Sequence, residues 1–168
     1  MTQPLRTVAG PDTPTTAEGS VLDAVVTASR ALVAMAARSL ADAGEEVTLT
    51  QYRSLVVLAS RGPQGIAELA DTVAVTAPTA SRLVDRLVRK GLVRRRTDRS
   101  DRRHVRIALT LAGRELVDLV TERRRHEMAS LLASIPPETL EPMATGLRHL
   151  AAAAGEVPEQ DWSTGWDL

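Results

Sequence analysis

Apolar residues recur at helical spacing over most of the chain. Between residues 20 and 43, Val21, Leu22, Val25, Val26, Leu32, Val33, Met35, Ala36 and Leu40 form a broad apolar surface. This predicts a helix capped by Ser20 and stopped at Gly44, where glycine accepts the left-handed conformation that ends many helices. Thr50 opens a second predicted helix, with Tyr52, Leu55, Val56 and Leu58 inside, and Arg61-Gly62-Pro63 breaks it. Ile66, Leu69 and Ala70 mark a short helix over 66–72, followed by a turn at Val73-Ala74-Val75. Thr76 then reads as the cap of a further helix. Its first turn tolerates Pro78, because that N–H would have no helical partner in any case. The helix runs to Lys90 and stops at Gly91. On a helical wheel Ala80, Leu83, Val84 and Leu87 point one way, while Pro78, Arg82, Asp85, Arg86 and Arg89 point the other, with Thr79 and Ser81 on the flanks.

After Gly91 the pattern changes. Residues 92–96 and 104–109 carry β-branched residues and are joined by a polar linker, so they predict a β-hairpin with a basic tip. Thr110 caps a long predicted helix over 110–134, Pro136 and Pro137 interrupt it, and a last helix is expected over 138–154. A helix–turn–helix followed directly by such a hairpin is a winged helix. The expected fold is therefore mainly α with a small β-hairpin wing: a winged helix-turn-helix domain flanked by helices that form a dimerisation domain. The boundaries that follow are an N-terminal arm over 1–19, a dimerisation helix over 20–48, the winged domain over 49–109, dimerisation helices over 110–154 and an acidic tail over 155–168.

Composition sharpens this picture. Aromatics make up only 2% of the 168 residues, so Leu, Val and Ala must build the core, which favours helix. The absence of cysteine excludes disulfides, thiolate metal sites and cysteine nucleophiles. The polar, proline-rich start shows no signal-peptide pattern, and apolar runs such as 54–60 fall short of a membrane span, so a soluble cytoplasmic protein is expected. Although the net charge is zero, residues 82–106 hold eleven basic side chains against three aspartates, a net +8 in 25 residues. A solvated helix face accounts for mixed charge but poorly for a block of one sign in a neutral chain. A directional positive field suits a polyanion on one side.

The residue order also resembles the MarR family of bacterial transcription regulators. The stretches that carry the resemblance are Leu49-Thr50-Gln51-Tyr52-Arg53-Ser54-Leu55, Glu68-Leu69-Ala70, Ser81-Arg82-Leu83-Val84-Asp85-Arg86-Leu87, Gly91-Leu92-Val93-Arg94-Arg95, Asp101-Arg102-Arg103 and Leu109-Thr110-Leu111-Ala112-Gly113. Each is weak alone; their order over residues 49–113 is specific. The resemblance implies a repressor that binds DNA as a homodimer and is released by a small-molecule ligand. It also implies a wing in which Asp101 braces the hairpin and an arginine, Arg102 or Arg103, enters the minor groove. Independently, the flanking helices carry more apolar surface than one small domain can cover. A two-fold dimer would bury it and set two recognition helices about one DNA turn apart, hence a pseudo-palindromic double-stranded operator.

The expected DNA-binding residues are Thr79, Ser81, Arg82, Arg86 and Arg89 on the recognition helix, with Arg99, Asp101, Arg102 and Arg103 on the wing. Arg82 and Arg86 can fork onto guanine, although phosphate is the commoner partner of any one arginine. Tyr52 is expected in the core. His104, His126 and His149 lack metal-ligand spacing, so neither metal nor cofactor is expected, and no phosphate-cradling glycine loop or nucleophile elbow points to an enzyme. With few aromatics available, a ligand pocket is expected to be lined by Leu, Val and Ala and to favour a largely apolar compound with a polar or anionic end steered by arginine. The alternative is a winged helix that docks an acidic protein and reads no DNA sequence.

Overall fold

The structure, a computed structural model, describes residues 16–43, 47–97 and 105–162. In chain order the elements are α1 (Thr16–Ala41), α2 (Leu49–Arg61), α3 (Ile66–Thr72), α4 (Ala77–Arg89), β1 (Val93–Thr97), β2 (Val105–Leu109), α5 (Leu111–Leu132) and α6 (Pro137–Ala153). A 3-10 turn, Glu159–Asp161, follows. The chain is mostly helical with one two-stranded antiparallel sheet, the winged-helix order that the hydrophobic pattern predicts.

Two compact units divide the chain, the first ending at Met35 and the second beginning at Ala36. In the first unit α1 begins at Thr16, so Ser20 lies inside the helix rather than capping it, and residues 16–19 of the expected arm are helical. Ala17 and Glu18 are good helix formers, and they extend the helix upstream of the serine. Val21, Leu22 and Val33 are 56–63% exposed. The helix Ala17–Ala41 is long and apolar enough, by length and composition, to cross a membrane, which the short apolar runs of the sequence do not suggest. The expected stop at Gly44 lies outside the described residues.

The second unit is built around α2, α3, α4, the sheet and the first half of α5. Leu55, Leu58, Leu69, Val84, Leu87, Ile107 and Val117 are fully buried in one cluster. Each such side chain stabilises the fold by about 1.5–3 kcal/mol relative to exposure. The N-cap of α2 is Thr48, not Thr50: its hydroxyl accepts from the Gln51 N–H at 3.3 Å while the Gln51 side chain accepts from the Thr48 N–H at 2.9 Å. Thr110 caps α5 as expected, accepting from the Gly113 N–H at 3.1 Å and donating to the Gly91 carbonyl at 2.6 Å. Val93 pairs with Leu109 and Thr97 with Val105 across the hairpin. A short third segment joins the sheet, since Gln64 and Ile107 exchange backbone hydrogen bonds of 3.0 and 2.7 Å. One residue cannot announce itself by alternation, so the hydrophobic pattern does not reveal it.

Candidate nucleic-acid interface

The turn between α3 and α4 closes through backbone bonds from Val73 to Leu69, Ala74 to Asp71 and Val75 to Ala70. Ala74 sits at φ 55°, the left-handed region, which lets the chain reverse within three residues. α4 then buries Ala80, Leu83, Val84 and Leu87. This inward stripe leaves Thr79, Arg82, Arg86 and Arg89 exposed and Ser81 half-buried. Thr76 occupies the N-cap position, but its hydroxyl shares a 3.0 Å hydrogen bond with the Thr79 hydroxyl and accepts from no backbone N–H. Side-chain pairing has displaced the expected cap bond.

The basic window is not uniformly free. Arg95 on β1 donates to Asp85 on α4 at 2.6 Å, and Arg106 on β2 donates to Glu68 on α3 at 2.6 Å. The same Glu68 oxygen accepts from the Gly65 N–H at 2.8 Å, so one carboxylate caps α3 and ties it to the wing. Asp85, expected on the solvent face, is thus a brace between recognition helix and wing. The side chains of Arg82, Arg86, Arg89, Lys90 and Arg94 make no hydrogen bond or ion pair among the described residues and stand exposed. These are the cations able to meet a polyanion without first breaking an internal pair. Arg99, Asp101, Arg102 and Arg103, and with them His104, lie outside the described residues. No linear motif signals the Glu68–Arg106 or Asp85–Arg95 pairs, because only the fold brings α3 and α4 against the hairpin.

Away from this face, Tyr52 packs into the core as expected. Its hydroxyl is buried with no hydrogen-bond partner among the described residues; Thr121 and Arg124 adjoin it without reaching hydrogen-bond geometry. Burial raises the phenol above its ordinary 10.0, against the opposing influence of Thr121 and Arg124. An open cavity of about 590 Å³ is lined by Ser39, Asp42, Glu122, Arg123, His126 and Glu127. This charged lining differs from the apolar one that the composition suggests for a ligand pocket. Arg38 donates two hydrogen bonds to Glu127 beside it, at 2.9 and 2.7 Å. Among the described residues no group of three or more His, Asp or Glu side chains is placed to hold a metal ion.

Comparison with known proteins agrees with this geometry. The model of the family described as MarR matches residues 47–105, from the start of α2 to the second wing strand. An uncharacterized HTH-type transcriptional regulator of Bacillus subtilis, YpoP, is 29% identical over 80 residues, and that match spans 48% of this chain and 57% of the relative. The crystal structure of RV1404 from Mycobacterium tuberculosis is similar at a TM-score of 0.78 and 38% identity, covering 83% of this chain and 95% of that one. A MarR family protein from Bacillus stearothermophilus is similar at a TM-score of 0.68 and 25% identity, covering 82% of this chain and 98% of its own.

Proposed function

Because this chain belongs to the MarR family of transcription regulators, we propose that it binds a pseudo-palindromic double-stranded operator as a homodimer and represses transcription until a small ligand releases it. The observation that carries this reading is the exposed, internally unpaired set Arg82, Arg86 and Arg89 on one face of α4, beside a wing braced to the same helix by Asp85 and Arg95. In this reading α4 enters the major groove with Thr79 and Ser81 close to base edges. Arg102 or Arg103 reaches the minor groove from the wing, Arg99 lies on phosphate, and Asp101 holds the wing in shape.

Dimerisation is supported by the apolar side chains that the single chain leaves in water: Val21, Leu22 and Val33 on α1, Leu131 on α5, and Leu147 and Leu150 on α6. No residue of α6 is buried. A helix with that much uncovered Leu and Ala surface gains its burial from another chain. Residues 20–48 and 110–154 serve dimerisation in this reading and 49–109 serve DNA binding. The ligand is a largely apolar compound with a polar or anionic end. It acts by favouring the arrangement of the dimer that does not bind DNA, and full inversion from mostly bound to mostly free needs a preference of about 5 kcal/mol.

The experiment is selection of bound fragments from a random DNA pool, followed by binding to the selected sequence and to scrambled duplex at one salt concentration. Enrichment of a two-fold-related motif, lost on Arg103→Ala or Asp101→Ala at a cost of about 1–3 kcal/mol, is expected. Equal affinity for every duplex would favour the alternative, a winged helix that docks an acidic protein.

A further inference from the structure

The segment after α6 lies outside the resemblance to the family, yet it is tied to the rest of the second unit at four points. The Gly155 carbonyl accepts from Arg61 at 2.8 Å. Glu156 accepts from both terminal nitrogens of Arg53, one of them at 3.0 Å. Glu159 accepts from Arg125 at 2.5 Å. Trp162 packs against the core cluster and donates its indole N–H to the Val157 carbonyl at 3.0 Å, which folds the segment back on itself. Arg53 and Arg61 belong to α2 and Arg125 to α5. A stretch of eight residues that follows a helix with no buried side chain is therefore anchored to the lobe that carries the winged helix.

We propose that residues 155–162 form a latch that ties the end of α6 to α2 and α5 and restrains the DNA-binding lobe against α5 and α6. The chemistry is asymmetric: all three external polar links run from an arginine, two of them on α2 and one on α5, to a carboxylate or carbonyl of the segment, with one indole as the apolar anchor. Each ion pair is part-exposed and weak on its own, so the latch opens readily and opens further as salt screens it. While it is closed, the lobe samples fewer orientations, and less disorder has to be removed when DNA binds. The consequence for DNA rests on the regulator reading above; the docking itself does not.

Intrinsic fluorescence reads the latch directly. Trp166→Phe leaves Trp162 as the one tryptophan, and Tyr52 is the one tyrosine of the chain. In this full-length background Trp162 is expected to be shielded from acrylamide at low salt, and Glu156→Gln with Glu159→Gln should raise the quenching constant about twofold or more. Arg53→Ala should act in the same direction. Equal quenching in all these variants overturns the latch, whether or not the chain binds DNA. The second arm measures affinity for the selected duplex. Removing two negative charges by itself favours a polyanion, so a loss of roughly threefold in the Glu156→Gln, Glu159→Gln variant identifies lost restraint. Unchanged or tighter binding, with the quenching change present, overturns the coupling of the latch to DNA. A wild-type chain that binds no duplex fails the regulator reading instead, and the quenching arm then decides the latch.

Discussion

Asp85 of α4 and Arg95 of β1 meet at 2.6 Å, so the helix that carries the exposed arginines and the strand that leads into the wing are held by one ion pair. Both side chains are 44% exposed, which limits the contribution of the pair to folding to about 1 kcal/mol or less. Its larger effect is on orientation. Asp85→Ala is expected to leave thermal stability nearly unchanged while weakening operator binding by about 1 kcal/mol. A double-mutant cycle with Arg95→Ala checks this; additive losses would mean that the pair does not position the wing.

Arg82, Arg86 and Arg89 stand exposed without internal partners, whereas Arg106 is held by Glu68. Arg89→Ala, near the end of the helix, should weaken selected and scrambled duplex by similar factors and lower the salt slope of the dimer by about 2, one contact from each protomer. Arg82→Ala or Arg86→Ala should reach about 1–3 kcal/mol if the side chain forks onto a guanine, with the loss concentrated at one base position. Titration across salt concentrations with single-base variants separates the two behaviours.

Gly113 lies in the first turn of α5 directly against the carbonyl of Leu92, where a Cβ would stand 2.0 Å from the oxygen. The same carbonyl accepts from the Thr110 N–H at 3.1 Å, so it cannot retreat without loosening the start of the helix. Gly113→Ala is expected to destabilise the fold by about 3 kcal/mol, at the upper end of overpacking costs. Gly146, whose added Cβ would meet nothing within 4 Å, serves as the control: Gly146→Ala should be neutral or stabilising. Denaturant unfolding of the two variants provides the comparison.

Tyr52, the one tyrosine of the chain, allows a pH test by its own titration. Because burial raises the phenol above 10.0 in the fold, the neutral form is favoured there relative to the unfolded chain. The stability that this contributes is complete below pH 10 and declines as pH climbs from 10 through the folded value. Absorbance at alkaline pH should therefore show the tyrosine titrating above 10, and Tyr52→Phe should remove that part of the alkaline loss. A midpoint at or below 10 in the folded protein contradicts the assignment.

Peroxide distinguishes ligand release from oxidation. Met35 is 1% exposed, which protects its sulfur, whereas Met128 and Met143 are half-buried. With no cysteine in the chain, mild peroxide is expected to leave operator binding unchanged. Release that methionine sulfoxide reductase reverses would point to Met128 or Met143 as the switch.

The helices, the turn between α3 and α4, the hairpin and the inward stripe Ala80, Leu83, Val84 and Leu87 were legible in the sequence, because each depends on local periodicity and on turn and cap residues close in the chain. Cap identity was less legible: Thr48 rather than Thr50 starts α2, and Thr76 turns to Thr79, because neighbouring hydroxyls compete for the same donors. The sequence also placed eleven basic residues in one window, an excess of eight over the acidic ones, but it could not say which were already engaged. Only the tertiary structure decided that Arg95 and Arg106 brace the wing, that Gln64 adds a third edge to the sheet, and that Glu156 and Glu159 reach back to Arg53 and Arg125. Charge carries no periodicity that encodes its partner. The pairs separated by 10 to more than 100 residues form where burial of the apolar faces has already set the helices and strands side by side.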